Sequence, residues 1–158
     1  MKPTEVHQIS RFSFSKTSLK RLEGVDDRLV KVTTTALTKY AQVDFGVSSG
    51  VRTIEEQRQL FESGKSTTME SKHLTGDAVD LYPYYDGKAH WDVESYQDLV
   101  MSMKKAASEH NVKIKWGGSW QPLEEIDDVV GAVNKYKELR ISQGRQPFVD
   151  CPHFELME

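Results

Sequence analysis

Two short stretches of the sequence place histidine and carboxylate side chains close together. SKHLTGDAVD contains His73 and Asp80, and DCPHFEL contains Asp150 and His153. A catalytic zinc ion needs three protein ligands and an open fourth position for water, which two imidazoles and one carboxylate can provide. A further carboxylate must take a proton from that water and pass it to the leaving amine. His73, Asp80 and His153 are therefore the candidate zinc ligands, and Asp150 is the candidate base.

Each of these residues also has an ordinary structural explanation. A histidine and an aspartate at this spacing are common, and Asp80 can equally be an acid of a turn, so the isolated motif has a large false-positive risk. We expect Asp77, the other acid of the first stretch, to face solvent. The remaining histidines are assigned to surface or helix-end positions, where histidine is often found: His7, His90 and His110.

Cys151 is the single cysteine of the chain, and it lies two residues before His153. A cysteine at this position is a potential zinc ligand. Adjacent strand positions alternate in direction, however, and three ligands are already present without it. We therefore favour a structural thiol. A single cysteine also excludes an internal disulfide bond.

Helical patterns account for much of the chain around these stretches. Apolar residues recur at helical spacing over 26–42, 92–110 and 123–141. Thr53 and Glu56 form a capping box that starts a further helix, and Gly64 ends it. These four helices are the expected scaffold behind the candidate site.

Extended segments are shorter and carry most of the unusual residues. Alternating or β-branched patterns predict strands over 45–52, 78–82, 112–116 and 153–156. Pro83 is expected to end the second strand, and turns are predicted at 85–88 and 117–120. We therefore predict an α+β fold with a small, mainly antiparallel sheet packed against helices.

Composition limits the class of protein. The 158 residues are 37% hydrophobic and 28% charged, which fits one globular domain spanning 1–158. The net charge of -3 gives no electrostatic reason to expect nucleic-acid binding. No apolar run approaches the ~20 residues of a membrane-spanning helix, and the first residues lack the apolar core of a secretory signal. We expect a monomer made in a cytoplasm, with no nucleic-acid partner and no membrane insertion.

Together, the two stretches resemble the motifs of a known enzyme family. S-x-H-x-x-G-x-A-x-D over 71–80, followed by D-x-x-H-x-E over 150–155, is similar to the pattern of the zinc peptidases that cleave bacterial cell-wall peptides. These D-alanyl-D-alanine carboxypeptidase-like metallopeptidases include the L-alanyl-D-glutamate endopeptidases that serve as phage endolysins. The resemblance also covers SSGVRT, DLYPYYDGKAHWD and KWGGSW. Its order and content are closest to the compact phage endolysins.

The resemblance implies a role for each matched site residue. It makes His73, Asp80 and His153 the ligands of Zn²⁺, and Asp150 the general base and acid. Arg52 would face the substrate and stabilise developing oxyanion charge, which suits a rigid guanidinium fork. The alternative for Arg52 is a surface salt bridge.

Three further residues are substrate-binding candidates, and each has a structural alternative. Ser71 would donate a hydrogen bond near the substrate, or it caps the local turn. Trp120 and Tyr82 would line the cleft, although aromatic residues at strand ends are more often part of the core. Glu155 would support His153, as carboxylates behind metal-bound histidines do, or it lies at the sheet edge.

The function implied by the resemblance is hydrolysis of the L-alanyl–D-glutamate bond of peptidoglycan stem peptides, in a zinc cleft on the sheet, during phage lysis. Bacterial peptidoglycan would be the partner, reached from the host cytoplasm once the membrane is breached. The alternatives are a D-alanyl-D-alanine carboxypeptidase and a non-catalytic module that binds the wall and keeps zinc for structure. Asp150 argues against the module, because a structural zinc site does not use a free base.

One segment departs from the compact endolysins. Residues 121–149 form a longer segment than that resemblance leads us to expect. A whole helix is predicted within it. We expect a helical insertion that forms a wall or lid near the cleft.

Overall fold

The computed structural model describes residues 12–66 and 71–157; His7, for which we predict an ordinary surface position, lies outside them. The described residues form five α-helices, and the second continues as a π-helical turn over Ala36–Tyr40. Their bounds are α1 Lys16–Arg21, α2 Asp27–Thr35, α3 Ile54–Glu62, α4 Gln97–His110 and α5 Val129–Ser142. Short 3₁₀ helices occupy Lys72–Thr75, Val93–Tyr96 and Leu123–Glu125.

The strands form one sheet in which every pairing is antiparallel. The order is β1-β2-β6-β4-β5, with β3 paired to the end of β2. Their bounds are β1 Asp44–Ser49, β2 Ala78–Tyr85, β3 Lys88–Ala89, β4 Ile114–Trp116, β5 Gln121–Pro122 and β6 His153–Leu156. The predicted α+β fold with a small antiparallel sheet is confirmed.

One face of the sheet packs against the helices, and the other carries the candidate ligand Asp80. Val79 and Leu81 on β2 are fully buried in a core cluster that also contains Met103 of α4 and Phe154 of β6. Because side chains alternate along a strand, Asp80 lies on the face opposite Val79 and Leu81. No helix in the described part of the chain is long and apolar enough to cross a membrane.

Local sequence signals are confirmed at several boundaries. The Thr53 side chain accepts the Glu56 N–H, and Glu56 accepts the Thr53 N–H, so the predicted capping box is present. Gly64 follows α3 with a φ of +79°. Asp86 and Gly87 have φ values of 54° and 74°, the conformation that a tight two-residue hairpin turn needs.

Pro83 does not end its strand, and this prediction was wrong. β2 continues to Tyr85, and Pro83 pairs with Phe45. The Pro83 carbonyl accepts the His90 N–H, so the missing Pro83 donor points to the same side, beyond the end of β6. No hydrogen bond with β6 is lost there, and β3 pairs only with residues after Pro83, which makes the proline tolerable.

The helix predicted over 123–141 is broken in two. A 3₁₀ helix covers Leu123–Glu125, Ile126 is extended, and α5 begins only at Val129. Ile126 is buried, and its carbonyl accepts a hydrogen bond from Lys104 of α4. The Val129 N–H donates to Gln97. These contacts with α4 stabilise the break between the two helical segments, and the apolar spacing of the sequence does not predict them.

Candidate active site

The pairing of β2 with β6 brings Asp80 and His153 opposite each other. His73 comes from the 3₁₀ helix just before β2, where the Ser71 hydroxyl accepts its N–H at 3.2 Å. Gly76 ends that helix with a φ of +80°. A Cβ on Gly76 would lie 2.6 Å from the Gly24 carbonyl oxygen, so both the turn and the close packing require glycine.

The side chains of His73, Asp80 and His153 converge on one point. His73 Nε2 lies 3.1 Å from Asp80 Oδ1 and 3.2 Å from His153 Nδ1. His153 Nδ1 lies 3.6 Å from Asp80 Oδ1. Ligands of a tetrahedral zinc ion, each about 2.0–2.1 Å from the metal, lie about 3.4 Å apart. The three measured distances bracket that value, so these residues can hold a metal ion.

The outward-facing atoms of the three side chains are also held. His73 Nδ1 lies 2.7 Å from the Gly50 carbonyl oxygen, and His153 Nε2 lies 2.8 Å from Glu155 Oε1. A carbonyl and a carboxylate accept hydrogen bonds, so these ring nitrogens donate. In each neutral ring the other nitrogen therefore presents a lone pair to the centre. The two nitrogen lone pairs and one carboxylate oxygen thus face each other, and together they can coordinate a cation.

The pKa shifts of Asp80 and His153 have their cause in the same close approach of side chains. Burial opposes the charged form of Asp80, but hydrogen bonds with His153 and His73 outweigh it and hold the pKa of Asp80 far below its usual range. Burial also disfavours charge on His153, yet Asp80 and Glu155 raise the pKa of His153 to about 9. Both shifts show that this group of side chains favours a positive charge at its centre.

Asp150 lies beside this group and has its carboxylate free. It lines the same cavity, and among the described residues no side-chain or backbone donor bonds to its carboxylate. Burial, followed by the nearby charge of Asp80, raises the pKa of Asp150. An unbonded carboxylate with a raised pKa is suited to accepting and returning a proton.

The predicted turn at 117–120 positions Asp150 and His153. The Asp150 N–H donates to the Gly117 carbonyl, and the Gly117 N–H donates to the His153 carbonyl. A Cβ on Gly117 would lie 2.5 Å from the Asp150 carbonyl oxygen and 2.8 Å from His153 Cβ. The segment that carries both residues therefore packs directly on a glycine backbone.

Arg52 contacts a candidate ligand. Its guanidinium donates to Asp80 Oδ2 at 2.9 Å and to Gln57 Oε1 at 3.0 Å. Gln57, fully buried, in turn donates to the Ser66 hydroxyl. Arg52 thus forms a salt bridge, but with Asp80 and with both side chains largely buried rather than at the surface, in a position that orients the second oxygen of this carboxylate. Arg52 also lines the cavity.

Of the other predicted site residues, two line the metal cavity and one does not. Ser71 and Trp120 line the cavity of about 350 Å³ that contains the His–Asp–His group. Trp120 is held by a hydrogen bond from its indole N–H to the Phe148 carbonyl. Tyr82 does not line this cavity but a separate one, so the structure does not bring it to the metal group. Its ring lies across Gly46, where a Cβ would meet the tyrosine hydroxyl at 2.5 Å.

Residues with a structural explanation are placed as follows. Cys151 is buried in the hydrophobic core, and burial raises the pKa of its thiol to about 12. It is not part of the His–Asp–His group. Asp77 accepts a hydrogen bond from Thr75, and His110 ends α4.

Several residues at the site had no sequence motif to identify them. The Gly50 carbonyl is a backbone group, and Gln57 reaches the site through the fold of the α3 region. Phe148, within 121–149, lines the cavity with Lys65 and Lys72. Gln57 is a buried polar residue on an otherwise exposed helix. That burial would have identified it, but only the structure reveals it.

The protein has an α+β fold, and its sheet presents a His–Asp–His group beside a free, buried carboxylate. This combination defines a candidate metallohydrolase. Comparison with known proteins gives the family. The model of the phage L-alanyl-D-glutamate peptidase family matches residues 10–157, and the chain belongs to that family.

Two relatives illustrate the similarity. The chain is 33% identical over 123 residues to the L-alanyl-D-glutamate peptidase of Escherichia phage T5, covering 75% of this chain and 89% of that protein. The crystal structure of the Serratia marcescens L-Ala D-Glu endopeptidase ChiX superposes with a TM-score of 0.70 at 29% identity. That match covers 99% of this chain and 96% of the other.

Proposed function

We propose that this chain is a zinc-dependent endopeptidase that hydrolyses the L-alanyl–D-glutamate bond of peptidoglycan stem peptides. The observation that carries the proposal is the convergence of His73 Nε2, Asp80 Oδ1 and His153 Nδ1 at 3.1 to 3.6 Å, beside the unbonded carboxylate of Asp150. Membership of the phage L-alanyl-D-glutamate peptidase family supports the choice of bond.

The donor set favours zinc over Mg²⁺ and Ca²⁺. Two imidazole nitrogens and one carboxylate oxygen suit Zn²⁺, whereas Mg²⁺ and Ca²⁺ prefer oxygen ligands. Three protein ligands also leave a fourth position open, as catalytic zinc sites do. A zinc ion bound there would polarise the scissile carbonyl and make a water molecule more acidic.

The remaining chemistry falls to this chain's own side chains. Asp150 would accept a proton from the attacking water on a carboxylate oxygen and then deliver it to the leaving amine of D-glutamate. Arg52 would keep Asp80 oriented through its hydrogen bond to Oδ2. Ser71 and Trp120, at the cavity wall, are the proposed substrate contacts, and Phe148 packs against Trp120 with ring centroids 6.3 Å apart.

The proposed biological setting is phage lysis. The enzyme would act as a monomer and as one catalytic domain on the host cell wall, after the membrane has been permeabilised. The segment 121–149 would contribute to the wall of the cleft through Phe148.

The test is mass spectrometry of purified peptidoglycan digested by the protein, with and without a chelator. We expect glycan strands whose lactyl groups keep only L-alanine, and released peptides that begin with D-glutamate. The chelator should abolish both products, and added zinc should restore them. Release of free D-alanine instead would assign a carboxypeptidase, and digestion unaffected by the chelator would contradict the metal requirement.

A further inference from the structure

An aromatic surface continues from the candidate metal site along the same face of the sheet. Asp80, Tyr82 and Tyr84 alternate along β2, so all three project from one face, with Tyr82 about 7 Å and Tyr84 about 14 Å from Asp80 along the strand. Trp91 follows β3 and contacts Tyr82, with ring centroids 5.4 Å apart. We call Tyr82, Tyr84 and Trp91 the aromatic face.

The fold does not use the exposed parts of these side chains. Trp91 is 53% exposed and Tyr84 is 41% exposed. Within residues 12–66 and 71–157, no hydrogen bond engages the hydroxyl of Tyr82 or Tyr84 or the indole N–H of Trp91. Exposed aromatic rings with free polar ends are suited to a ligand that is apolar on one surface and hydroxylated at its edges.

A polar groove lies beside the aromatic face. Tyr82 and Tyr84 line a cavity of about 200 Å³ together with the side chains of Ser13 and Asp44. The groove exists because Gly46 has no side chain, which lets the Tyr82 ring lie across the sheet. Hydroxyl and carboxylate groups next to aromatic rings are the lining that a sugar ring requires, since its faces are C–H surfaces and its edges carry hydroxyl and amide groups.

The metal cavity is lined by both carboxylates and basic side chains, and the basic ones can orient an acidic substrate. β1 runs antiparallel to β2, with its first residues beside Tyr84 and its last beside Asp80. Lys65 and Lys72 line the metal cavity. Lys65 follows β1 and α3 in the chain, and it lies beyond the end of β1 that is farther from the aromatic face. The stem peptide is acidic on the D-glutamate side of the scissile bond and joined to an amino sugar on the L-alanine side.

We propose that the aromatic face binds the amino sugar of the glycan strand to which the stem peptide is attached, so that this enzyme prefers stems still linked to glycan. The inference rests on the proposed function. One L-alanine and a lactyl group separate the scissile bond from the sugar, which places the sugar within the span of Tyr82 and Tyr84. Lys65 and Lys72, which line the metal cavity, then receive the acidic part of the stem.

The test compares two substrates that share the scissile bond. One is the uncross-linked glycan strand carrying L-alanyl-D-glutamyl-diaminopimelate stems, and the other is the same tripeptide with an acetylated N-terminus and no sugar. Trp91→Ala and Tyr84→Ala remove parts of the aromatic face. Tyr85→Ala is the matched control, because Tyr85 is a similarly exposed tyrosine on the opposite face that stacks on His90.

We expect Trp91→Ala to lower kcat/KM for the glycan-linked substrate roughly tenfold through KM, and to leave the free tripeptide unchanged. Tyr84→Ala should change the same ratio in the same direction, and Tyr85→Ala should not change it. Equal losses on both substrates, no loss in either variant, or the same loss in Tyr85→Ala would overturn the inference. If Trp91→Ala does not fold, the exposed Tyr84 variant decides.

A binding measurement separates this inference from the proposed function. Wild-type protein and Trp91→Ala are sedimented with purified glycan strands from which the stems have been removed. Weaker retention of the variant supports the aromatic face, and equal retention contradicts it. Failure of the wild type to cleave the L-alanyl–D-glutamate bond in either substrate would instead refute the proposed function, whatever the sedimentation shows.

Discussion

At the scale of single residues, the site is determined by what holds each ligand from behind. The Gly50 carbonyl, the Glu155 carboxylate and the Arg52 guanidinium each engage the outward atom of one candidate ligand. These contacts select the ring nitrogen that each histidine presents to the centre. The candidate ligands are therefore oriented before any metal ion binds.

Asp150 is the residue on which the proposed proton transfer depends. Asp150→Asn keeps the size of the side chain and removes its basicity. We expect hydrolysis of the stem peptide to fall roughly 10²- to 10⁴-fold while zinc content is unchanged. Activity assays with metal analysis of the same samples measure both, and full activity in the variant would refute the assignment.

Glu155 is expected to tune zinc affinity through His153. Removing a carboxylate behind a metal-bound histidine costs roughly 10- to 100-fold in metal affinity. Glu155→Ala should show that loss, and Glu155→Gln a smaller one, since the amide oxygen still accepts the Nε2 proton. A competition titration with a chelating dye measures the affinity. Glu124→Ala is the control, because Glu124 only pairs with Lys113 at the surface, and an equal loss there would contradict the role of Glu155.

At the scale of elements, the 117–120 turn holds the segment that bears Asp150 and His153. A Cβ at Gly117 would overlap that backbone, so we expect Gly117→Ala to reduce activity and destabilise the protein by about 1–3 kcal/mol. Denaturant unfolding and activity assays measure the two effects.

Gly131→Ala is the matched control for Gly117. Its Cβ would meet the end of the exposed Asp128 side chain, which can move. Gly131 also lies in the first turn of α5, and alanine is a better helix former than glycine. An equal loss of stability and activity in both variants would show that the packing of the turn is not the cause.

Local signals predicted the elements around the site, and long-range contacts decided the rest. The capping box at Thr53 and the strand 153–156 depend on neighbouring residues, so the sequence was sufficient to predict them. The break at Ile126 depends on a hydrogen bond from Lys104, and Pro83 is tolerated because of where β6 ends. Neither condition is visible from residues near the position itself.

The same distinction applies to the site. The residue types within 71–80 and 150–155, together with the family resemblance, select His73, Asp80 and His153 as a group, and the structure brings them together. Tyr82 lies outside the metal cavity, because alternation along β2 gives the face of the sheet but not how far the cavity extends. The Gly50 carbonyl was missed because every residue has a backbone carbonyl, so the residue type does not show which one accepts a hydrogen bond at the site.

At the scale of the whole molecule, the metal group joins distant parts of the chain. His73 and Asp80 flank the start of β2, and His153 begins the last strand. A bound zinc ion would therefore link the middle of the sequence to its end. Binding to the folded state alone stabilises a protein by about 4 kcal/mol at a ligand concentration a thousandfold above Kd.

We expect zinc to raise the melting temperature of the chelator-treated protein by roughly 10 °C under those conditions. Thermal unfolding followed by circular dichroism measures the shift. His73→Ala should lose most of it. His110→Ala, which removes a histidine that contacts Thr35 away from the site, should retain it. A full shift in His73→Ala would place the stabilising ion elsewhere.

Anomalous diffraction at the zinc edge from crystals of the zinc-loaded protein tests the central claim most directly. We predict one strong peak about 2.0–2.2 Å from His73 Nε2, His153 Nδ1 and an Asp80 carboxylate oxygen. His73 Nδ1 should still face the Gly50 carbonyl, and His153 Nε2 should still face Glu155. A peak at another site, or a peak coordinated by Cys151 in place of one of these ligands, would contradict the proposed centre.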